Sequence, residues 1–483
     1  MQDLRKWLKR IDEIGQLKQL DGVDWNLEMG VLTEENTLRK GPALLFDRIP
    51  GLTPGFRVLT NILATPERVS TSLNFPIVYH QEADLVQDLI GKPEVWEKDS
   101  ASFPVKIVGN GPIMENILTE KDVDLYRIPS PFWHERDGGR YIGTGCVVIL
   151  RDPDTGRINL GCYRVMIQSK NTVTIYISIG KHGQVIMRKY HERKQPCPVA
   201  ISLGQSPLLL IAATLGVPEK ISEYNYAGAI LGESIEGVRG ISTDLILPAF
   251  SEIVLEGECL PGETLMEGPF GEWTGYYAGE KKPAPLVHIK SVLHRNEPIV
   301  LGCSPAGRGD FYEVVYWHDI FRSATLKKAL EEAGVPGVRG VWPHEFGGAR
   351  QFLAVSIKQE FSGHSRQAGF VASQCREGAY AGRYVVVVDD DIDPTDIKEV
   401  LWAMCTRVDP VKDIDFIRKA WGTRLDPMKS EDSVPEADTF YNTRAIIDAC
   451  IPYERRMTFP LRNSYSREVK SKILAKWKDA LNG

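Results

Sequence analysis

Two glutamates lie five residues apart in the segment EGPFGE, which runs from Glu267 to Glu272. The turn-forming residues Gly268, Pro269 and Gly271 lie between them, so the backbone can bend and direct both carboxyl groups into one cavity. Mutual repulsion or burial there would raise the pKa of at least one carboxyl group, which suits a general acid. The alternative is that both glutamates are solvated residues of an exposed turn.

A second candidate cluster is the segment NLGCYR, which runs from Asn159 to Arg164. On a regular strand these two residues would point to opposite faces, because their positions differ in parity. A bulge or bend at Gly161 is therefore needed to bring Asn159 and Arg164 into one site. Without that bend, Arg164 is an ordinary strand arginine.

Asn159 is also a candidate metal ligand. His182 follows the β-like run VTIYISI in a loop position from which an imidazole can reach a ligand, and Glu223 offers a carboxylate. Together the three side chains form an O/N/O set that suits Mn²⁺ or Mg²⁺. Their spacing is not itself a motif, and an exposed loop histidine is the alternative for His182.

Composition restricts the class of protein. The chain has 483 residues, 58 basic and 64 acidic side chains and a net charge of −6, so its surface does not favour nucleic acid or anionic lipid. Its length predicts about three domains. The eight cysteines are spread singly, which favours a reducing compartment over a zinc ribbon. Because we find neither a signal-peptide core nor a run of about 18 apolar residues, we expect a cytoplasmic globular protein.

Hydrophobic periodicity predicts three regions. Residues 1–115 are expected to form an α/β region, opened by an amphipathic helix that Asp3 caps and Gly15 ends. Residues 116–305 are rich in β-branched runs and indicate a barrel or sandwich with some inserted helices. Helical and β-like runs alternate again over residues 306–450. No Walker A motif or dinucleotide-binding glycine fingerprint occurs in the sequence.

A tail follows over residues 451–483. It ends in a helical segment with four apolar residues on one face, Val469, Ile473, Trp477 and Leu481. A full apolar stripe on a helix must pack against another surface. The pattern is compatible with packing on the same chain or on a neighbouring subunit.

The sequence resembles the UbiD family of reversible aromatic and α,β-unsaturated acid decarboxylases. The resemblance covers most of the chain and is strongest over residues 130–410, with motifs in the family's order: NLGCYR, GKH, SEYNYAGAILGE, LPAFSEIVLEGECLPGE, EGPFGEWTGYY and DDDIDPTDIKEVLWAMCTRVDP. It implies an N-terminal α/β region, a central split β-barrel like that of flavin reductases, and a C-terminal α/β domain. The terminal helix would lie at a subunit interface of a homodimer or homohexamer.

The resemblance also implies a cofactor, prenylated FMN, supplied by a separate flavin prenyltransferase. Cofactor contacts are expected from nine residues: Asn159, Leu160, Gly161, Cys162, Tyr163, Arg164, Lys181, His182 and Glu223. The phosphate would be held by Mn²⁺ or Mg²⁺ on Asn159, His182 and Glu223. A potassium ion would be bound by Glu223 and by backbone oxygens of four residues: Leu160, Ala212, Ala213 and Leu215.

Decarboxylation of an aromatic acid explains why such a cofactor is needed. Loss of CO₂ from an sp² carbon leaves an anion in the ring plane, which the π system cannot delocalise, so the enzyme needs an electrophilic carrier that forms a covalent adduct with the substrate. By motif matching, the resemblance implies that Arg164, Glu267 and Glu272 face the substrate and cofactor. Glu272 is the expected proton donor, and Arg164 is suited to hold a carboxylate bidentately and to tune both glutamates.

The sequence leaves the roles of two residues undecided, and it allows two alternative functions. Trp273 either narrows the substrate pocket or is a core aromatic residue, and Arg383 lies where some relatives carry a lysine that contacts the cofactor. A non-catalytic subunit of a multi-component aryl carboxylase would be expected to lack catalytic or metal residues, and none is lost here. A plain FMN-binding reductase is the other alternative, although no dinucleotide fingerprint supports it.

Overall fold

The computed structural model describes residues 1–178, 180–305, 313–348, 350–434 and 439–477. The helices within these residues are α1 Leu4–Glu13, α2 Glu28–Leu38, α3 Pro66–Ser72, α4 Glu82–Leu89, α5 Lys92–Asp99, α6 His182–Glu192, α7 Pro207–Thr214, α8 Glu223–Leu231, α9 Glu313–Glu332, α10 His364–Gln374, α11 Ile397–Arg407 and α12 Arg467–Lys476. The strands are β1 Leu17–Asp21, β2 Ala43–Asp47, β3 Arg57–Thr60, β4 Lys106–Ile107, β5 Asn116–Thr119, β6 Tyr141–Gly143, β7 Val147–Arg151, β8 Ile158–Gly161, β9 Arg164–Ile167, β10 Thr172–Tyr176, β11 Cys197–Ser202, β12 Glu236–Arg239, β13 Ile246–Pro248, β14 Ile253–Glu267, β15 Lys282–His294, β16 Ile299–Leu301, β17 Val338–Pro343, β18 Phe352–Ile357, β19 Tyr384–Asp389, β20 Ile414–Trp421 and β21 Tyr441–Asp448.

The predicted opening helix is present as α1. Asp3 caps it by accepting a hydrogen bond from Arg5 N at 2.9 Å, and Gly15 follows it with a positive φ of 69°. Its apolar stripe is buried in the N-terminal core, beside a sheet of order β1-β2-β3-β16. Because β16 comes from residues 299–301, the central region contributes the edge strand of this N-terminal sheet.

The central sheet has nine strands within the described residues. Its strand order is β6-β9-β10-β15-β14-β11-β7-β8, and β5 also pairs with β15. Strands β8 and β9 lie near opposite ends of this order, yet the chain passes from Gly161 at the end of β8 to Arg164 at the start of β9. Three residues of extended chain span at most about 11 Å. The sheet must therefore curl into a half-barrel whose two ends meet at Cys162 and Tyr163.

The C-terminal region is α/β, as the alternating pattern predicts. Its five strands have the order β17-β18-β19-β21-β20, in which β18, β19 and β21 run parallel. Helix α10 contacts β18, β19 and β21. The N-terminal half of α9 contributes Tyr316, Trp317 and Phe321 to the same core as α1, which joins the C-terminal region to the N-terminal one.

The terminal helix is present as α12. Val469, Ile473 and Trp477 stay 44%, 51% and 54% exposed, so the apolar stripe is not buried by the described part of this chain. Leu481 lies outside the described residues. Among the described helices, α12 included, none is both long enough and apolar enough to cross a bilayer.

Candidate active site

A cavity of about 760 Å³ lies where the two ends of the curled sheet meet. Twelve of the residues expected from the sequence line it: Asn159, Leu160, Gly161, Cys162, Tyr163, Arg164, Lys181, His182, Ala213, Leu215, Glu223 and Glu272. The break predicted near Gly161 is present, because β8 ends at that residue and β9 begins at Arg164. Asn159 and Arg164 therefore face one cavity although their positions differ in parity. Two other expected residues, Glu267 and Ala212, are buried behind the wall.

Arg164 bridges the two glutamates of the EGPFGE segment. Its Nε and Nη2 donate to the two carboxylate oxygens of Glu267 at 2.8 and 3.0 Å, and its Nη1 donates to Glu272 Oε1 at 2.7 Å. The side chain of Glu267 is fully buried, and that of Glu272 is 15% exposed. The exposed-turn alternative is therefore wrong. Charge-assisted hydrogen bonds of this kind are stronger than neutral ones, and they hold both carboxylates in fixed orientations.

A neighbouring segment holds this arrangement from behind. Gly138 N donates to Pro269 O at 2.8 Å, and a Cβ on Gly138 would lie 2.0 Å from a carbonyl oxygen of the same loop, so only glycine permits the approach. The ring centroids of Tyr141 and Phe270 lie 4.0 Å apart. The Tyr141 hydroxyl donates to Glu267 Oε1 at 2.8 Å, which fixes the glutamate that in turn fixes Arg164.

Burial and the neighbouring Arg164 act in opposite directions on the acidity of Glu272. Burial raises its pKa, and the attraction of Arg164 opposes part of that rise. Its backbone is fixed by a turn in which Glu272 N donates to Tyr276 O at 3.1 Å. A carboxyl group with a raised pKa in a cavity wall is suited to deliver a proton near neutral pH.

The other end of the cavity contains a buried carboxylate with neutral partners. Glu223, the first residue of α8, accepts hydrogen bonds from Asn159 Nδ2 and from Leu160 N, both at 2.8 Å. Burial raises the pKa of Glu223 to about 7 despite these bonds. Among the described residues, Asn159 Oδ1 is buried and has no hydrogen-bond partner. A cation would satisfy both the orphaned amide oxygen and the buried carboxylate.

His182 occupies a different local structure from the one expected. It is the first residue of α6 rather than a loop residue, because the chain enters the helix directly after Lys181. The Tyr163 hydroxyl accepts a hydrogen bond from Gly183 N at 3.2 Å, and this contact anchors the start of α6 to the cavity wall. Burial lowers the pKa of His182, which keeps the imidazole neutral, as a metal ligand must be.

The residues of this end therefore fit a divalent cation. Within the described residues, no three side chains drawn from His, Cys, Asp and Glu alone form a metal-binding group. The expected set differs because its third ligand is the Asn159 amide. An amide oxygen, a neutral imidazole and a carboxylate are ligands that Mn²⁺ and Mg²⁺ accept.

Two further cations face the cavity. Burial and repulsion from Arg350 lower the pKa of Lys181, and burial also lowers the pKa of Arg350. Both residues line the cavity. A bound anion such as a phosphate would relieve this repulsion.

Several residues of the cavity wall could not be predicted from the sequence. His318, Arg350, Arg376 and Leu425 come from the C-terminal region, and Tyr176 comes from the end of β10. The four C-terminal residues are isolated in the sequence and form no motif, so no local signal could have identified them. For Tyr176 the sequence offers one signal, because this residue lies within the β-like run VTIYISI just before the GKH motif.

Trp273 and Arg383, whose roles the sequence did not decide, do not line this cavity. Trp273 is partly buried next to Glu272 but is absent from the cavity wall. Arg383 Nη2 lies 2.6 Å from both carboxylate oxygens of Asp426, which is almost fully buried. In this structure Arg383 therefore forms an ion pair within the C-terminal region.

Three family models match nearly the whole chain. They are the N-terminal, Rift-related and C-terminal domains of UbiD, 3-octaprenyl-4-hydroxybenzoate carboxy-lyase, and they match residues 8–90, 106–309 and 316–449.

Individual relatives agree with this match. A pyrrole-2-carboxylic acid decarboxylase of Pseudomonas aeruginosa is 30% identical over 99% of this chain and 98% of its own length. The structure of the UbiD-class enzyme HmfF from Pelotomaculum thermopropionicum in complex with FMN superposes with a TM-score of 0.83, at 29% identity over 97% of this chain and 98% of that one. An evolved dimeric form of HmfF in complex with prFMN gives a TM-score of 0.79, at 27% identity over 97% and 98% of the two chains. A vanillic acid decarboxylase of Sedimentibacter hydroxybenzoicus gives 0.81, at 27% identity over 99% of each chain.

Proposed function

The chain belongs to the UbiD family of carboxy-lyases, and we propose that it decarboxylates an aromatic or heteroaromatic acid, reversibly and without oxidation, using prenylated FMN. The observation that carries this proposal is the pairing of Arg164 with Glu267 and Glu272 in the cavity wall. It fixes a proton donor in the cavity wall, and non-oxidative loss of CO₂ requires a proton for the carbon that loses it. The relatives named above include decarboxylases of one heteroaromatic and one aromatic acid.

We assign the cofactor to the cavity, between the end that contains Arg164 and the end that contains Glu223. The isoalloxazine ring would lie beside Arg164, and the phosphate near Lys181 and the start of α6, where a helix N-terminus favours an anion. The divalent metal, Mn²⁺ or Mg²⁺, would be bound by Asn159, His182 and Glu223. The orphaned Asn159 oxygen and the neutral imidazole support this assignment.

The potassium ion is assigned to the same end. Its ligands would be Glu223 and the backbone oxygens of Leu160, Ala212, Ala213 and Leu215. Three of the four residues whose backbone oxygens would bind the ion line the cavity, whereas Ala212 is buried in α7. A site made of carbonyl groups accounts for the apolar side chains at these positions.

The chain's own residues position the substrate and move one proton. When bound, prenylated FMN supplies the electrophilic centre that accepts the electrons left by CO₂. Arg164 holds Glu272 at 2.7 Å, so the acid is aimed at one side of the substrate. Glu272 then donates its proton to the carbon that has lost CO₂, and it regains a proton from solvent. In the carboxylating direction, the Glu272 carboxylate removes that same proton.

We further propose the architecture that the resemblance implies. The central region, residues 116–305, would be the split barrel that binds the cofactor, between an N-terminal domain over 1–115 and a C-terminal domain over 306–450. The tail over 451–483 would lie at a subunit interface of a homodimer or homohexamer. The half-exposed apolar face of α12 supports this assignment.

The test is the identity of the released cofactor. Protein co-produced with a flavin prenyltransferase should release prenylated FMN, identified by mass and absorption spectrum, together with about one divalent metal ion per chain. The same preparation should release CO₂ from members of a panel of aryl acids. Plain FMN that NADH reduces would instead favour the reductase alternative, and no cofactor would favour the non-catalytic subunit.

A further inference from the structure

Tyr176 lies in the cavity wall between two cations. It is the last residue of β10 and lines the cavity together with Arg164 and Glu272. Arg164 Cζ lies 4.5 Å from the centroid of the Tyr176 ring, and Lys282 Nζ lies 3.6 Å from it. Cations at these distances are attracted to the aromatic ring, so the two side chains hold the phenol in place.

The two cations differ in how their charge is balanced. Arg164 forms salt bridges with Glu267 and Glu272. Lys282 begins β15 directly opposite Glu267, yet within the described ranges its ammonium group forms no salt bridge with a carboxylate. Its charge therefore acts mainly on the Tyr176 phenol and, at longer range, on Glu272.

The surroundings make the phenol a stronger hydrogen-bond donor. Burial alone would raise the pKa of Tyr176, but the close contact with the Lys282 ammonium group and the attraction of its charge lower it. Ser178 and Arg424 act in the same direction. A phenol of this kind beside a cation favours an oxygen acceptor that carries negative charge.

We propose that Tyr176, held by Lys282, is a specificity-determining residue that donates a hydrogen bond to an oxygen substituent on the substrate ring. The substituent is a hydroxyl or a second carboxylate, in addition to the carboxylate that leaves. This inference rests on the proposed decarboxylase function and names the substrate class within it: an aryl or heteroaryl acid with an oxygen substituent, rather than an unsubstituted ring.

The experiment compares aryl acids that differ in one ring substituent. With enzyme loaded with prenylated FMN, kcat and KM are measured for an unsubstituted acid, its hydroxylated analogue and its dicarboxylate analogue. Wild-type protein should prefer an oxygen-substituted acid. Tyr176→Phe should lower the ratio of kcat/KM values, substituted over unsubstituted, by about 10-fold, mainly through KM.

Variants of Lys282 test whether its charge contributes to the preference that we assign to Tyr176. Lys282→Met should lower the same ratio, most strongly for the dicarboxylate, and Lys282→Arg should restore most of it because the charge is kept. Lys290→Met is the matched control, since Lys290 lies on the same strand and its Nζ pairs with Glu258 at 2.7 Å. That control should leave the ratio unchanged.

FMN affinity, measured by flavin fluorescence, provides a readout that is independent of turnover. It should be the same in wild-type, Tyr176→Phe and Lys282→Met proteins. A wild-type preference for the unsubstituted acid would overturn the inference, as would an equal loss for every acid or a parallel loss of FMN affinity. Failure of the wild-type enzyme to release CO₂ from any acid would instead contradict the proposed function.

Discussion

The buried carboxylates at the two ends of the cavity differ in whether their hydrogen-bond partners are charged. At the Arg164 end, defined by Arg164, Glu267 and Glu272, both carboxylates pair with a guanidinium within 3.0 Å. At the Glu223 end, defined by Asn159, His182 and Glu223, the hydrogen-bond donors to the carboxylate among the described residues are all neutral.

This difference separates a preorganised site from an incomplete one. A buried charge is costly unless it is paired, so the Arg164 end is complete without any added group. The Glu223 end has a carboxylate whose pKa burial raises to about 7 and an amide oxygen that has no hydrogen-bond partner in the described part of the chain. Under the proposed function, a divalent cation would complete it. We therefore expect substitutions at the first end to act on the protein itself, and substitutions at the second to act through the metal.

The largest effect is expected from Glu272→Gln. Glutamine keeps the shape but cannot donate the proton, so CO₂ release should fall roughly 10²–10⁴-fold, while prenylated FMN stays bound. CO₂ release and the absorption spectrum of the cofactor are measured on one preparation. Glu263→Gln, on an exposed side chain of β14, is the control and should stay active. Full activity of Glu272→Gln would remove Glu272 as the acid.

The same substitution at each end provides the sharpest comparison. In metal-free protein, Glu267→Gln should lower the free energy of unfolding by about 3 kcal/mol, because it leaves part of the buried Arg164 charge unpaired. Glu223→Gln should cost little, because it removes an unpaired buried charge. Urea unfolding of the two variants measures both values. Equal losses would contradict the distinction between the two ends.

Added metal should stabilise the protein through the Glu223 end and not through the Arg164 end. Mn²⁺ at a free concentration of 100 times its Kd should stabilise the wild-type protein by about 2.7 kcal/mol. Glu223→Gln and His182→Ala should lose most of this gain and also contain less cofactor and metal as purified. Glu267→Gln should keep it, although it is less stable. Thermal unfolding with and without Mn²⁺ gives the gain, and an unchanged gain in His182→Ala would remove that residue as a ligand.

The pH dependence should separate the wild-type protein from Glu223→Gln when no metal is present. Because the pKa of Glu223 is higher in the folded protein than in the unfolded chain, the folded state binds its proton more tightly. Lowering the pH from about 8 to about 5 should therefore stabilise the wild-type protein by about 2.5 kcal/mol relative to the variant. His182 is present in both proteins and cancels. A difference that stays constant with pH would show that Glu223 is already charged and compensated.

The smallest effect is expected from Tyr141→Phe. This variant removes the hydrogen bond to Glu267 but keeps the ring contact with Phe270, so the free energy of unfolding should fall by about 1 kcal/mol. Metal affinity should not change, because Tyr141 lies at the other end. Tyr126→Phe, at an exposed tyrosine, serves as the control and should be neutral. A shift in metal affinity would show that the two ends are coupled.

Local pattern was sufficient for much of the fold. The cap at Asp3 and the apolar spacing after it predicted α1, because capping and amphipathicity depend on neighbouring residues. The alternation of helical and β-like runs over residues 306–450 likewise predicted the C-terminal α/β region, because such runs are local patterns. His182 was misplaced in a loop, because the start of α6 has no capping side chain and the sequence offers no signal there.

The motifs by themselves determined the family and the identities of the residues that we assign to chemistry, among them Arg164, Glu272 and Glu223. Only the tertiary structure decided that Glu267 is buried under Tyr141, that Arg350 faces the cavity and that Lys282 lies on the Tyr176 ring. These contacts join residues that are far apart in sequence. They exist because a curled sheet brings its two ends together, and no local periodicity encodes which distant side chains meet there.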